Sequence, residues 1–253
     1  MSAPRVLVLG GLDPSGGAGL FADLEALEAV GACGWGVATA LTAQGPRGAR
    51  SASPVALPLV RAQVAALLEG GERPRAAKTG MLGTAAHAAA LSRWLSRPPL
   101  ARLPLVVDPV LAASSGLSLF DAGGRRPGRA MEPLLRRAAL VTPNWPELEL
   151  LAGRPLGSEE EAVRAARELP ARAVLVKGGH RSGPPVDVLV RGRRVVRIAG
   201  TRRPGTARGT GCRLASAVAG LLAAGVPLEE AVRGAKAVVE RYLDRALRAA
   251  GRG

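Results

Sequence analysis

Two kinds of hydrophobic pattern alternate along the chain. Short, nearly unbroken apolar runs fall at 5–9, 36–41, 75–80, 103–108, 139–142 and 172–177. Runs of this kind predict strands buried on both faces of a parallel sheet. Between them, apolar positions recur every three or four residues over 18–30, 59–69, 84–96, 147–152 and 158–168, which predicts helices. The last of these opens on Ser158 with glutamates behind it and closes on Pro170, the usual start and stop signals. Over 186–199 the pattern changes to alternation around a central "RGR", which predicts an antiparallel hairpin at the far side of the sheet. Helices at 210–224 and 228–249 complete the series, and 121–130, rich in glycine and arginine, reads as a mobile loop.

This rhythm predicts an α/β fold with a mostly parallel sheet, right-handed crossovers and helices on both faces. The 253 residues read as a single domain, 1–253, without repeat or linker. Ligands in such sheets bind beyond the carboxyl ends of the strands. Asp13, Gln44, Met81, Asp108, Asn144 and Lys177 all fall at those ends.

Composition narrows the function classes. The net charge is +15, yet the basic residues are scattered and aromatic residues make up only 2% of the chain. A nucleic-acid surface needs clustered charge and stacking platforms, so no nucleic-acid partner is expected. No apolar stretch is long enough for a membrane span, and the N-terminal run reads as a strand rather than a leader, so a cytoplasmic enzyme is expected. Two cysteines, Cys33 and Cys212, and two histidines, His87 and His180, make neither a disulfide framework nor a zinc site. Lysine is rare beside arginine, and the three present are Lys78, Lys177 and Lys236. Asn144 is the one asparagine, and Gln44 is one of two glutamines. In a composition that avoids these types, their positions are informative.

Four segments carry candidate chemistry. "GLDPSGGAGLFADLEAL", 11–27, lets backbone approach a ligand before a helix start, but has neither P-loop nor dinucleotide spacing and equally suits a plain βα turn. "TPNWPELE", 142–149, places Asn144 and Glu147 three apart after a strand. The pair suits a hydrated Mg²⁺, and it suits a helix cap as well. Lys177, in "VLVKGGH", offers a flexible ammonium for phosphate. In "RGTGC" the N–H groups of Thr210, Gly211 and Cys212 converge at a helix start, an anion hole reinforced by the helix dipole. A thiol there is expected to have a depressed pKa and to serve as a base, although free cysteines also fill buried first turns. Cys33, near a helix end, reads as structural.

The order of "GLDPSGGAGLFADLEALEAVGACGWGVATALTAQ", "KTGMLG", "VVDPVLAASSG", "TPNWPELELL", "VKGGH" and "GTGC" resembles the hydroxymethylpyrimidine/phosphomethylpyrimidine kinases of thiamine biosynthesis, in the ribokinase-like superfamily. The likeness runs from about residue 5 to 240. It implies a three-layer αβα sandwich, ATP and Mg²⁺ as cofactors, a pyrimidine substrate and a homodimer. By position it implies an anion hole at Gly209, Thr210, Gly211 and Cys212, with Cys212 as the base. It implies Mg²⁺ at Asn144, at Glu147 through water and at Asp108, and nucleotide contacts from Lys177, Thr210 and Lys236. Gly11, Asp13, Ala18, Gln44, Met81 and Val110 would line the pyrimidine pocket, where a carboxamide can meet the adjacent donor and acceptor of an aminopyrimidine edge. The chain departs from the family pattern at Arg208, where histidine is common, at Arg213, where a smaller residue is usual, in "GLD", and in lacking the family-type C-terminal tail. The two arginines are expected to strengthen phosphate attraction or to alter a lid. A pyridoxal/pyridoxine kinase and a catalytically silent pyrimidine-binding protein remain the competing readings.

Overall fold

The computed structural model describes residues 2–45, 48–113, 115–179, 184–203 and 207–250. Its elements are β1 (Arg5–Leu12), α1 (Gly19–Glu28), β2 (Cys33–Gly45), β3 (Gly48–Pro54), α2 (Leu57–Glu69), β4 (Ala76–Thr79), β5 (Gly83–Thr84) and α3 (Ala85–Leu95). There follow β6 (Leu105–Val107), β7 (Phe120–Asp121), α4 (Pro127–Arg137), β8 (Leu140–Val141), α5 (Trp145–Ala152), α6 (Glu159–Glu168) and β9 (Val174–Val176). The last four are β10 (Val186–Arg191), β11 (Arg194–Ala199), α7 (Thr210–Ala223) and α8 (Leu228–Ala250). His180 and residues 204–206, just before the "RGTGC" loop, lie outside the described residues.

One nine-stranded sheet takes strands in the order β11-β10-β9-β8-β6-β4-β1-β2-β3. From β9 to β2 every pairing is parallel, while β3, β10 and β11 are antiparallel to their neighbours. The apolar runs explain this arrangement. In β1, Val6 and Val8 face one core while Leu7 and Leu9 face the other, and none is more than 1% exposed. Burying each such side chain contributes roughly 1.5–3 kcal/mol. Helices α2 to α6 cover the first face through residues such as Val60, Leu91, Met131 and Leu148. Helices α1, α7 and α8 cover the second through Leu20, Leu27, Val218 and Val232.

Two elements differ from the pattern-based expectation. The mobile loop expected at 121–130 is largely a β7 end, a turn and the start of α4, in which Pro127 opens the helix and Ala130, Met131, Leu134 and Leu135 form the buried stripe. Strand β3, "GARSASP", has no apolar periodicity because it is an exposed edge strand held by backbone pairing to β2.

Candidate functional site

Because β1, β2, β4, β6, β8 and β9 run parallel, their carboxyl ends share one edge of the sheet. Asp13, Asp108 and Lys177 each directly follow their strand, Met81 and Asn144 lie two and three residues beyond theirs, and Gln44 is next to last in β2. The same edge receives the N-terminus of α7.

The densest cluster surrounds Lys177. Its Nζ donates to Asp108 Oδ1 at 2.9 Å and lies 3.7 Å from Glu147 Oε2. Thr142 Oγ1 donates to the same Asp108 oxygen at 3.2 Å. Burial opposes the charge on Asp108, but Lys177 and Lys78 outweigh it and hold the carboxyl below its usual range. Lys177 loses basicity to burial and regains more from Asp108 and Glu147, so its pKa is raised. Glu147 goes the other way: burial, reinforced by Asp108, pushes it up to about 7 against the pull of Lys177.

Asn144 and Glu147 form a reciprocal capping box at the start of α5. Asn144 Oδ1 accepts from the Glu147 N–H at 2.8 Å, and Glu147 Oε2 accepts from the Asn144 N–H at 2.7 Å. The cap is therefore built, and it turns the Glu147 carboxylate toward Lys177. Among the described residues no group of three or more His, Cys, Asp or Glu forms a metal cage. Two oxygen-bearing carboxylates, Asp108 and Glu147, converging on one lysine fit a Mg²⁺ that brings its remaining ligands as water and phosphate.

The α7 start faces this cluster. Gly209 is its N-cap at φ +71, no side chain caps the helix, and its first turn carries no acidic residue. A Cβ at Gly209 would lie 2.3 Å from Gly17 O, and one at Gly211 would lie 2.9 Å from Lys177 Nζ. Glycine at both positions lets the loop close on its neighbours and brings the first turn of α7 beside the lysine ammonium.

Cys212 departs from expectation. The helix start predicts a depressed pKa, whereas burial, reinforced by Asp23 and Asp108 and opposed by Lys78, pushes the thiol up to about 12. The residue retains partial exposure, but the groups packed around its sulfur decide the sign. Cys212 rests as a thiol. Cys33 is also free and partly buried.

Where the family likeness places a substrate pocket, Met81 packs with Ala40 and Leu119, and Val110 packs against them. A Cβ on Gly11 would meet Met81 Sδ at 2.8 Å, which places that backbone against the methionine. Asp13, buried, accepts from the Ser15 N–H and Oγ and from the Ala18 N–H, and so shapes the 13–18 loop. Gln44 Oε1 accepts from Thr42 Oγ1 at 3.4 Å.

Lys236 is engaged elsewhere. Its Nζ donates to Asp187 Oδ2 at 2.5 Å, and Asp187 Oδ1 accepts from the Gly178 N–H at 2.8 Å. The pair pins the turn that follows Lys177. The arginines expected to attract phosphate are also engaged: Arg208 with Asp13 at 2.8 Å, and Arg213, only 4% exposed, with Glu25 at 2.5 Å.

Lys78, marked in the sequence by its rarity but given no role there, forms a second buried knot with Asp23 and Ser216, which sequence reasoning missed. Lys78 Nζ donates to both oxygens of Asp23 at 2.8 and 2.9 Å, and Ser216 Oγ donates to Asp23 Oδ1 at 2.8 Å. Tyr242 presents its ring to Arg213 at 3.7 Å and donates its hydroxyl to Arg208 O at 3.0 Å. It is the one tyrosine of the chain, a rarity of the kind that marked Asn144. A surface cavity of about 420 Å³ between β10, β11 and the start of α8 has no part in this, because the Arg191–Arg194 turn lies at the opposite edge of the sheet.

Comparison with known proteins agrees with this geometry. The family profile described as phosphomethylpyrimidine kinase matches residues 13–252. The chain is 41% identical to a thiamine biosynthesis bifunctional protein ThiED of Geobacter sulfurreducens, covering 98% of this chain and 50% of the relative. It therefore spans half the length of that relative. It is 40% identical to a hydroxymethylpyrimidine/phosphomethylpyrimidine kinase of Rhizobium meliloti, covering 97% and 91%. Among solved structures it resembles a phosphomethylpyrimidine kinase from Clostridium difficile 630, with TM-score 0.77 and 31% identity over 95% and 99% of the two chains. It also resembles a Staphylococcus aureus pyridoxal kinase in complex with AMP-PCP and pyridoxal, with TM-score 0.80 and 29% identity over 94% and 87%.

Proposed function

The chain belongs to the phosphomethylpyrimidine kinase family of phosphotransferases, with the ribokinase-like fold, and we propose that it phosphorylates 4-amino-5-hydroxymethyl-2-methylpyrimidine and its monophosphate with ATP. The observation that carries the proposal is the meeting of Lys177, Asp108 and Glu147 with the uncapped start of α7. An ATP γ-phosphoryl group fits between the ammonium and the Thr210, Gly211 and Cys212 N–H groups. The substrate ring lies toward Gly11, Ala18, Gln44, Met81 and Val110, with its hydroxymethyl oxygen directed at the loop. The oxygen–phosphorus bond forms as the bond to ADP breaks, and Lys177 and the loop amides take up the developing charge.

Asp108 and Glu147 would hold Mg²⁺, with Asn144 orienting Glu147. When bound, the ion would screen phosphate charge and offset Asp108, which with Asp23 adds to the burial that holds the Cys212 thiol up. Cys212 would accept the hydroxyl proton as a thiolate, which requires its thiol to release its own proton to solvent as the substrates bind. Lys78 favours its thiolate, while Asp23 and Asp108 oppose it. The Cys212→Ala variant is expected to lose kcat strongly with pyrimidine binding nearly intact. Turnover within a few-fold of the parent would remove the base assignment and leave the anion hole standing. We also place the protein in the cytoplasm as a homodimer, the latter measurable by light scattering.

The deciding experiment is a phosphorylation panel across the pyrimidine alcohol, its monophosphate and the B6 vitamers. The likeness to a pyridoxal-bound kinase makes pyridoxal the relevant competitor. A kcat/KM for pyridoxal equal to or above that for the pyrimidine overturns the substrate assignment. Pyrimidine binding without turnover at saturating Mg²⁺ overturns the catalytic one.

A further inference from the structure

Arg208 immediately precedes the anion-hole loop, and its side chain points away from it. Nη2 donates to Asp13 Oδ2 at 2.8 Å, and Nη1 donates to Gly45 O at 2.8 Å and Ser15 Oγ at 3.1 Å. These acceptors belong to the two segments that line the pyrimidine side: Asp13 organises the loop ending at Ala18, and Gly45 adjoins Gln44. The backbone of Arg208 is held from behind. Its carbonyl accepts from Tyr242 Oη at 3.0 Å and Arg213 Nη1 at 3.3 Å, and Arg213 also donates to Gly17 O at 3.1 Å.

We propose that Arg208 is a positioning residue that ties the anion-hole loop to both pyrimidine-binding segments and thereby sets substrate affinity. The inference rests on the pyrimidine-kinase reading above. Asp13 already neutralises the guanidinium, and three acceptors from two segments fill its hydrogen-bonding fork. A free phosphate-attracting cation would lack those partners. Removing the fork leaves Asp13 a buried carboxylate without its counter-charge and frees Gly45, so Ala18 and Gln44 lose their relative placement. Lys177, its carboxylates and the amides of α7 are untouched, so nucleotide binding is not expected to change.

The test compares the full chain with Arg208→Met and Arg208→Lys by calorimetry. The probes are hydroxymethylpyrimidine alone and AMP-PCP with Mg²⁺, and steady-state kinetics run in parallel. For Arg208→Met the pyrimidine Kd and KM are expected to rise about tenfold or more, with AMP-PCP affinity within twofold. Arg208→Lys, which keeps the charge on Asp13 but not the three-way fork, is expected to recover only part. Equal weakening of both ligands, or none of either, overturns the proposal, since a purely structural role would move them together. Recovery of full pyrimidine affinity by lysine also overturns it, because charge alone would then suffice. A parent protein that binds AMP-PCP but no pyrimidine overturns the function reading along with it.

Discussion

Two lysine–carboxylate pairs flank Cys212, and they differ in what closes over them. Lys78 and Asp23 are sealed, with side chains 1% and 0% exposed, and both Asp23 oxygens are engaged. Lys177 and Asp108 lie at the strand ends, at 12% and 2%, with Glu147 as a third member. Burial opposes both charges: it keeps Asp23 raised even against Lys78, whereas the Asp23 carboxylate more than restores the lysine. The contact of Lys78 Nζ with both Asp23 oxygens makes this an ion pair, and with Ser216 it knots β4, α1 and α7. The second pair keeps its lysine within reach of a ligand at the α7 start. Burial of a charge is common to both, and access separates the sealed pair from the one we propose as functional.

The largest expected effect separates them by stability. Lys78→Met strands the Asp23 carboxylate in the core and is expected to cost about 3–5 kcal/mol in urea denaturation. Adding Asp23→Asn is expected to restore much of it. A loss near zero would mean that the sealed pair contributes nothing. Next comes activity. Lys177→Ala is expected to lower kcat/KM for ATP by about 10²–10³ while destabilising less than Lys78→Met. The comparison collapses if the two variants exchange these phenotypes.

The smallest effect is a pH dependence confined to the open pair. Folding raises Glu147 to about 7 from an ordinary 4.5, so the folded state holds a proton that the unfolded state releases between those values. That contribution to stability is full below about pH 4.5, falls as pH rises, and is gone above about 7. Relative to Glu147→Gln, the ligand-free parent is therefore expected to lose about 1–3 kcal/mol between pH 4.5 and 7.5. A flat difference would mean that Lys177 keeps Glu147 ionised throughout.

Much of the fold was legible because parallel strands buried on both faces need continuous apolar runs, and β1, β6, β8 and β9 have them, whereas β4 buries Lys78 and Thr79 beside two alanines. β3 was not, since an exposed edge strand needs backbone pairing rather than an apolar face. The whole of α4 was missed: the glycines and arginines at its start masked the apolar stripe from Ala130 to Leu135. In the site, rarity marked Lys177, Asn144 and Gln44, and the Asn144–Glu147 spacing allowed both a metal role and a cap; the structure builds the cap.

The sequence by itself determined most of the element order, the sheet edge at which ligands are expected and the residue types gathered there, because these follow from local periodicity and chain direction. Only the tertiary structure decided which charges meet. It paired Lys78 with Asp23, engaged Arg208 with Asp13 and Arg213 with Glu25, and reversed the sign of the Cys212 shift. The physical reason is the same each time. A helix start acts on its own first turn, whereas desolvation and Coulomb terms sum over every element packed around a group, and that set is unknown until the chain has folded.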